Sequence, residues 1–157
     1  MNRFLKSWNE YKSLPNEEQI AIGEYLASLG VDITIGTHPH VIEPIKWIGD
    51  TLVIYSLGNF ISSQSNVNDY NRLIGLLVNV DIIKTTVHDE VSITLDNLNA
   101  ELIYTYYKNQ SNYKVIPFSK LDNSILKDYK NYKVKYESIV KYYDNSIVVN
   151  WIALMLK

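Results

Sequence analysis

The sequence predicts an α/β fold from three observations: a capped amphipathic helix over residues 16–28, a β-rich run at 31–35 directly after it, and two apolar runs at 45–48 and 51–55 separated by Gly49-Asp50. A helix followed at once by a strand and a polar loop is the ordering of α/β domains, whose sites lie beyond the carboxyl ends of strands. The 157 residues predict one domain.

The elements follow in order. Asn16 suits an N-cap and Gln19 stands three residues on, the spacing of a capping box, while Glu17 and Glu18 suit the positive helix end. Ile20, Ala21, Tyr25, Leu26 and Leu29 recur at helical spacing, and Gly30 is a natural stop. The run at 51–55 is expected to lie beside 31–35, and Gly49-Asp50 reads as a hairpin turn. Residues 72–84 and 91–107 form a second candidate antiparallel pair, long enough to need bulges, joined near 86–89. Residues 113–117 read as a terminal strand. Beyond them Tyr129, Tyr132, Tyr136, Ile139, Val140 and Tyr143 share one helical face, a core or docking face.

Composition narrows the function. The chain is 46% apolar with a formal charge of −2. A pI near 5.9 argues against nucleic acid, which draws a concentrated basic patch. The absence of cysteine excludes a disulfide framework and thiolate metal sites. Residues 1–11 lack the apolar centre of a secretory signal, and the apolar stretch 147–156, interrupted by Asn150, is too short to span a bilayer. Lys127, Lys130, Lys133 and Lys135 offer weak attraction for an acidic polymer, diluted by Asp128, Glu137 and Asp144.

The chemistry concentrates in Gly36-Thr37-His38-Pro39-His40. Proline biases the residue before it toward extended backbone, so His38 and His40 are expected on an extended segment, facing one side. Two imidazoles so placed suit a divalent manganese, iron or zinc ion; a turn with two solvated histidines is the competing reading. Gly58-Asn59 is expected to turn the chain back toward this loop, so that Asn59 reaches it as a ligand or as a group orienting an imidazole. A turn-forming role for Asn59 is the favoured alternative. Glu43 is the nearest carboxylate after the histidines, and Glu10 is a further supporting candidate. Each also reads as a solvated residue, as does His88 in the second hairpin.

Read whole, residues 36–60 run from the Gly-x-His-Pro-His loop through an apolar hairpin to Tyr55-Ser56-Leu57-Gly58-Asn59-Phe60, preceded by Pro15 and Gln19 at the head of the helix. This pattern resembles the bacterial CapA/PgsA family of capsule and poly-γ-glutamate biosynthesis proteins, related to the calcineurin-like metallophosphoesterases. The match is specific over 15–60 and extends to about residue 84. The resemblance implies an α/β metallophosphoesterase-like sandwich, with residues 1–112 as its C-terminal portion and 113–157 as a terminal strand and helical tail. It also implies metal ligation by His38 and His40, either of which could act as an acid.

Family members carry further ligands in an N-terminal half: an Asp, an Asn-His pair and a His-Trp-Gly-x-Glu-Tyr motif. Here Lys6-Ser7-Trp8-Asn9-Glu10-Tyr11 looks like an altered copy of the last, with lysine or serine at the histidine position. An ammonium offers no lone pair. The sequence expectation is therefore a truncated or incomplete CapA-like protein of capsule synthesis or export, without independent catalysis. Its sheet should show an uncovered edge at 31–35 and 51–55. The alternative is a metal-dependent hydrolase of phosphoesterase or amidase type, completed by an upstream half-domain or a partner. Family members face outward from a membrane anchor; with no anchor recognised here, the location stays open, the cytoplasm included.

Overall fold

A computed structural model describes residues 11–62 and 70–149. Helix α1 (Glu17–Ser28) opens on the expected capping box: the Asn16 side chain accepts from the Gln19 N–H at 2.8 Å and Gln19 Oε1 accepts from the Asn16 N–H at 2.9 Å. Strand β1 (Ile33–Ile35) follows, then the hairpin of β2 (Ile45–Ile48) and β3 (Thr51–Ile54). These strands form a sheet in the order β1-β3-β2, β1 running parallel to β3 and β2 antiparallel to it.

Strand β3 is therefore the central strand, which corrects the expectation of an open edge at 51–55; among the described residues β1 is an edge strand of this sheet. All four residues of β3 are buried, as befits a strand covered on both faces. Leu52 and Ile54 join the main core, while α1 covers the other face, where Gly23 lies against Val53 and Tyr55.

The second sheet is built on the long pair β4 (Ile74–Val87) and β5 (Glu90–Lys108), closed by a tight turn at His88 and Asp89, both at positive φ. The expected bulge falls between Asn79 and Asp81. Strand β6 (Ser111–Pro117) pairs with β5, and the short β7 (Val148–Val149) adds a parallel rung at Asn99 and Ala100. Helix α2 (Tyr129–Val140) buries Tyr136 and Val140, which join Leu52, Ile74, Leu102 and Leu126 in one core. Each large apolar side chain so buried contributes roughly 1.5–3 kcal/mol. No helix among the described residues is long and apolar enough to cross a membrane.

The two sheets meet at one place that matters for the site. After β3, Leu57 bridges back to Ile42 and Gly58 bridges to Gly75 at the start of β4. The Leu76 N–H donates to the Leu57 carbonyl at 2.8 Å. Residues 57–59 are thus held between the histidine loop and the second sheet.

Candidate functional site

The loop carrying the histidines leaves β1 at Gly36, whose N–H donates to the Ile54 carbonyl at 2.7 Å. A β-carbon at Gly36 would lie 2.1 Å from the Tyr55 carbonyl oxygen, so only glycine fits this exit. The backbone then departs from the expected extended path: φ is +100° at His38 and +60° at His40. The two residues after His38 are held by tertiary hydrogen bonds. The Tyr11 N–H donates to the Pro39 carbonyl at 3.0 Å, and the Asn59 amide approaches the His40 carbonyl at 3.3 Å. A non-glycine residue held at such a φ stores about 1–3 kcal/mol, a cost often found at functional loops.

The turned backbone still brings the two rings together, with centroids 6.0 Å apart and planes tilted by 46°. Two imidazoles bound to one ion at about 2.1 Å each hold their centroids at most about 6.5 Å apart, so this pair lies within the span of a shared ion.

Asn59 determines which nitrogen His40 offers. Its Nδ2 lies 2.8 Å from the Arg72 carbonyl and 3.3 Å from the His40 carbonyl, and both of these groups only accept. The amide nitrogen must face them, which turns Oδ1 toward His40 Nδ1 at 3.0 Å. That oxygen also only accepts, so Nδ1 carries the proton and, in the neutral ring, Nε2 holds the lone pair. Gly75 guards this arrangement, because a β-carbon there would sit 2.1 Å from the Asn59 carbonyl. Asn59→Ala is expected to cost about 1–2 kcal/mol through the carbonyls it strands and to release the His40 tautomer. Ring nitrogen chemical shifts would show the change; a wild-type ring carrying its proton on Nε2 would contradict the assignment.

Tyr11 stacks on His40 with centroids 6.3 Å apart and an interplanar angle of 26°, and the Arg72 guanidinium carbon lies 3.8 Å from the Tyr11 ring centre. This layering has no signature in the sequence, since partners so distant in the chain leave no local pattern. The histidines line a cavity of about 480 Å³ together with Ser56, Asn59, Leu57 and Leu76.

Glu43 is placed elsewhere. It is 1% exposed, its Oε2 accepts from Gln19 Nε2 at 2.6 Å, and it does not line the cavity of the histidines. Burial pushes its carboxyl up to about 7, opposed by the Gln19 hydrogen bond. Glu10, with Lys6, Ser7 and Trp8, lies outside the described residues. His88 sits at the exposed tip of the long hairpin. Among the described residues no three His, Cys, Asp or Glu side chains cluster as a metal site. The described residues thus bring two imidazoles to this place, with the Asn59 amide against one of them. Of the α2 lysines, Lys135 donates to Asn71 at 2.8 Å and Lys133 lies 3.8 Å from Glu137.

The sequence model of the family described as bacterial capsule synthesis protein PGA_cap matches residues 4–64, the stretch that carries the histidine loop and Asn59. Over these residues the chain is similar to the CapA/PgsA family. The PGA biosynthesis protein CapA of Bacillus subtilis (strain 168) is 44% identical over 55 residues, covering 35% of this chain and 14% of that protein. The capsule biosynthesis protein CapA of Bacillus anthracis is 36% identical over 55 residues, 35% of this chain and 13% of that protein. The matched segment thus spans a small fraction of either relative. No solved structure matches the chain significantly.

Proposed function

We propose that this CapA-like chain acts in the synthesis or export of a bacterial capsule or poly-γ-glutamate polymer. In this reading His38 and His40 hold a divalent manganese, iron or zinc ion as part of a larger site, and the described residues alone do not turn over substrate. The observation that carries the reading is the His40 ring, locked by Asn59 so that Nε2 keeps its lone pair, within shared-ion distance of His38. Such an ion would polarise an ester or amide oxygen and acidify water. This chain's own contribution is to orient two neutral imidazoles and to hold the proton of one at Nδ1.

This reading assigns the chain a non-catalytic or assisted role. In the second reading, the metal-dependent hydrolase, the remaining donors come from another segment or a partner.

Calorimetry with zinc or manganese tests the first reading. Weak binding is expected, reduced more than tenfold by His38→Ala or His40→Ala and about 10–100-fold by Asn59→Ala, the range typical for groups that orient a metal-bound histidine. Binding unaffected by His40→Ala would remove the metal centre. Metal-dependent hydrolysis of a phosphate ester or polyglutamate by the chain alone, abolished in His40→Ala, would overturn the non-catalytic role.

A further inference from the structure

The histidine loop is braced by a residue outside the stretch that matches the family. That match ends at residue 64, and Arg72 stands in the short helical turn Tyr70–Leu73 just before β4. Its carbonyl accepts from Asn59 Nδ2 at 2.8 Å, and Oδ1 of the same amide meets His40 Nδ1 at 3.0 Å. Its guanidinium carbon lies 3.8 Å from the centre of the Tyr11 ring, which in turn stacks on the His40 ring. The contacts close a circuit that runs from His40 through Asn59, Arg72 and Tyr11 back to His40.

The two routes constrain different motions. A hydrogen bond to a ring nitrogen acts in the plane of the ring and fixes which edge faces Asn59, whereas a stacked ring bears on the face and resists tilting. Arg72 supplies the far end of both. A cation is attracted to an aromatic face, so the half-buried guanidinium holds a Tyr11 ring that is otherwise 40% exposed. Helix α2 seats Arg72 in turn. Oδ1 of the neighbouring Asn71 accepts from Lys135 Nζ and from the Tyr136 hydroxyl, each at 2.8 Å, and Tyr70 packs on Tyr132 with centroids 6.1 Å apart.

We infer that Arg72, seated by α2, is a positioning residue for His40, fixing the ring edge through Asn59 and the ring face through Tyr11. This role rests on the proposed function only for its effect on metal affinity; the ring itself is observed without metal.

The test is nuclear magnetic relaxation of the His40 ring carbons together with the ring nitrogen shifts, on the full chain without metal. Arg72→Met and Tyr11→Leu are each expected to lower the order of the ring while Nδ1 keeps its proton, because the Arg72 carbonyl still holds Asn59. Tyr11→Phe keeps the stacking face and should retain wild-type order. The double variant should be no looser than Tyr11→Leu, since the guanidinium acts through the Tyr11 ring. Zinc affinity should fall about two- to fivefold in Arg72→Met, the factor that corresponds to an exposed cation–π contact. Lys135→Met combined with Tyr136→Phe removes both donors to Asn71 and should loosen the ring as well.

A ring equally ordered in wild type, Arg72→Met and Tyr11→Leu overturns the positioning role. Equal loosening in Tyr11→Phe and Tyr11→Leu overturns the stacking route, and a proton moved to Nε2 in Arg72→Met overturns the division between side chain and carbonyl. An ordered ring in the Lys135 and Tyr136 double variant removes α2 from the support. Zinc binding that His40→Ala leaves untouched, beside a ring that Arg72→Met loosens, sinks the metal centre while the positioning role stands, so the two readings fail separately.

Discussion

Gly36→Ala is expected to destabilise the chain by about 3 kcal/mol, lowering the thermal midpoint by roughly 6–12 °C for a domain of this size. The cause is space. A β-carbon at this position meets the Tyr55 carbonyl at 2.1 Å and its carbon at 3.0 Å. Both atoms belong to backbone that continues directly from β3, so no side chain can rotate away to relieve the contact. Either β1 separates from β3, losing its parallel rungs at Ile33, Thr34 and Ile35, or the loop leaves at a new angle and His38 moves. Denaturant unfolding measures the first outcome, and imidazole resonances report the second. A variant within 1 kcal/mol of wild type, with unchanged histidine signals, would show that the exit from β1 is looser than described; 1 kcal/mol is about the mean cost of an arbitrary substitution.

The second large effect is a pH dependence with an unusual sign. Glu43 ordinarily titrates near 4.5, but in the folded chain its pKa is pushed up to about 7, chiefly by burial. Between these values the folded chain keeps a proton that the unfolded chain has released, so stability falls as pH rises through the window. The full contribution is present below 4.5 and is lost as pH passes about 7. After screening by solvent, the loss is on the order of 2 kcal/mol.

Near Glu43 stand the Tyr55 hydroxyl, which makes no hydrogen bond to it, and the Gln19 amide, which donates to it. Glu43→Gln should abolish the slope and leave the variant more stable than wild type at pH ~8, where the wild-type carboxylate is ionised. Denaturant midpoints across this range decide the matter. A wild-type curve that rises from pH ~5 to ~8 would mean that Glu43 is ionised and compensated.

Local chemistry made part of this molecule readable. The start of α1 could be foreseen because a capping box is written within four residues, and both hairpins because their turns interrupt apolar runs. The histidine loop announced itself by composition, but its backbone did not. The bias before Pro39 favours extension, whereas φ is positive at both histidines, and the loop meets Tyr11 and Asn59 from other parts of the chain.

Asn59 was ambiguous for a physical reason. An asparagine chosen for a turn and one chosen to hold an imidazole are the same residue; here the side chain holds His40, and the positive φ falls on Gly58. Glu43 misled because a carboxylate near histidines reads as a ligand. In the folded chain it is covered and meets Gln19, whose place in the capping box had already accounted for that residue.

The parallel pairing of β1 with β3 sets an order of assembly. Strands β2 and β3 zip up across a tight turn at small entropic cost, but β1 reaches β3 only by closing the whole intervening span. That span contains both imidazoles, so their loop is the last piece of the small sheet to be fastened. It should also be the first to open when the sheet breathes, ahead of the rungs between β2 and β3.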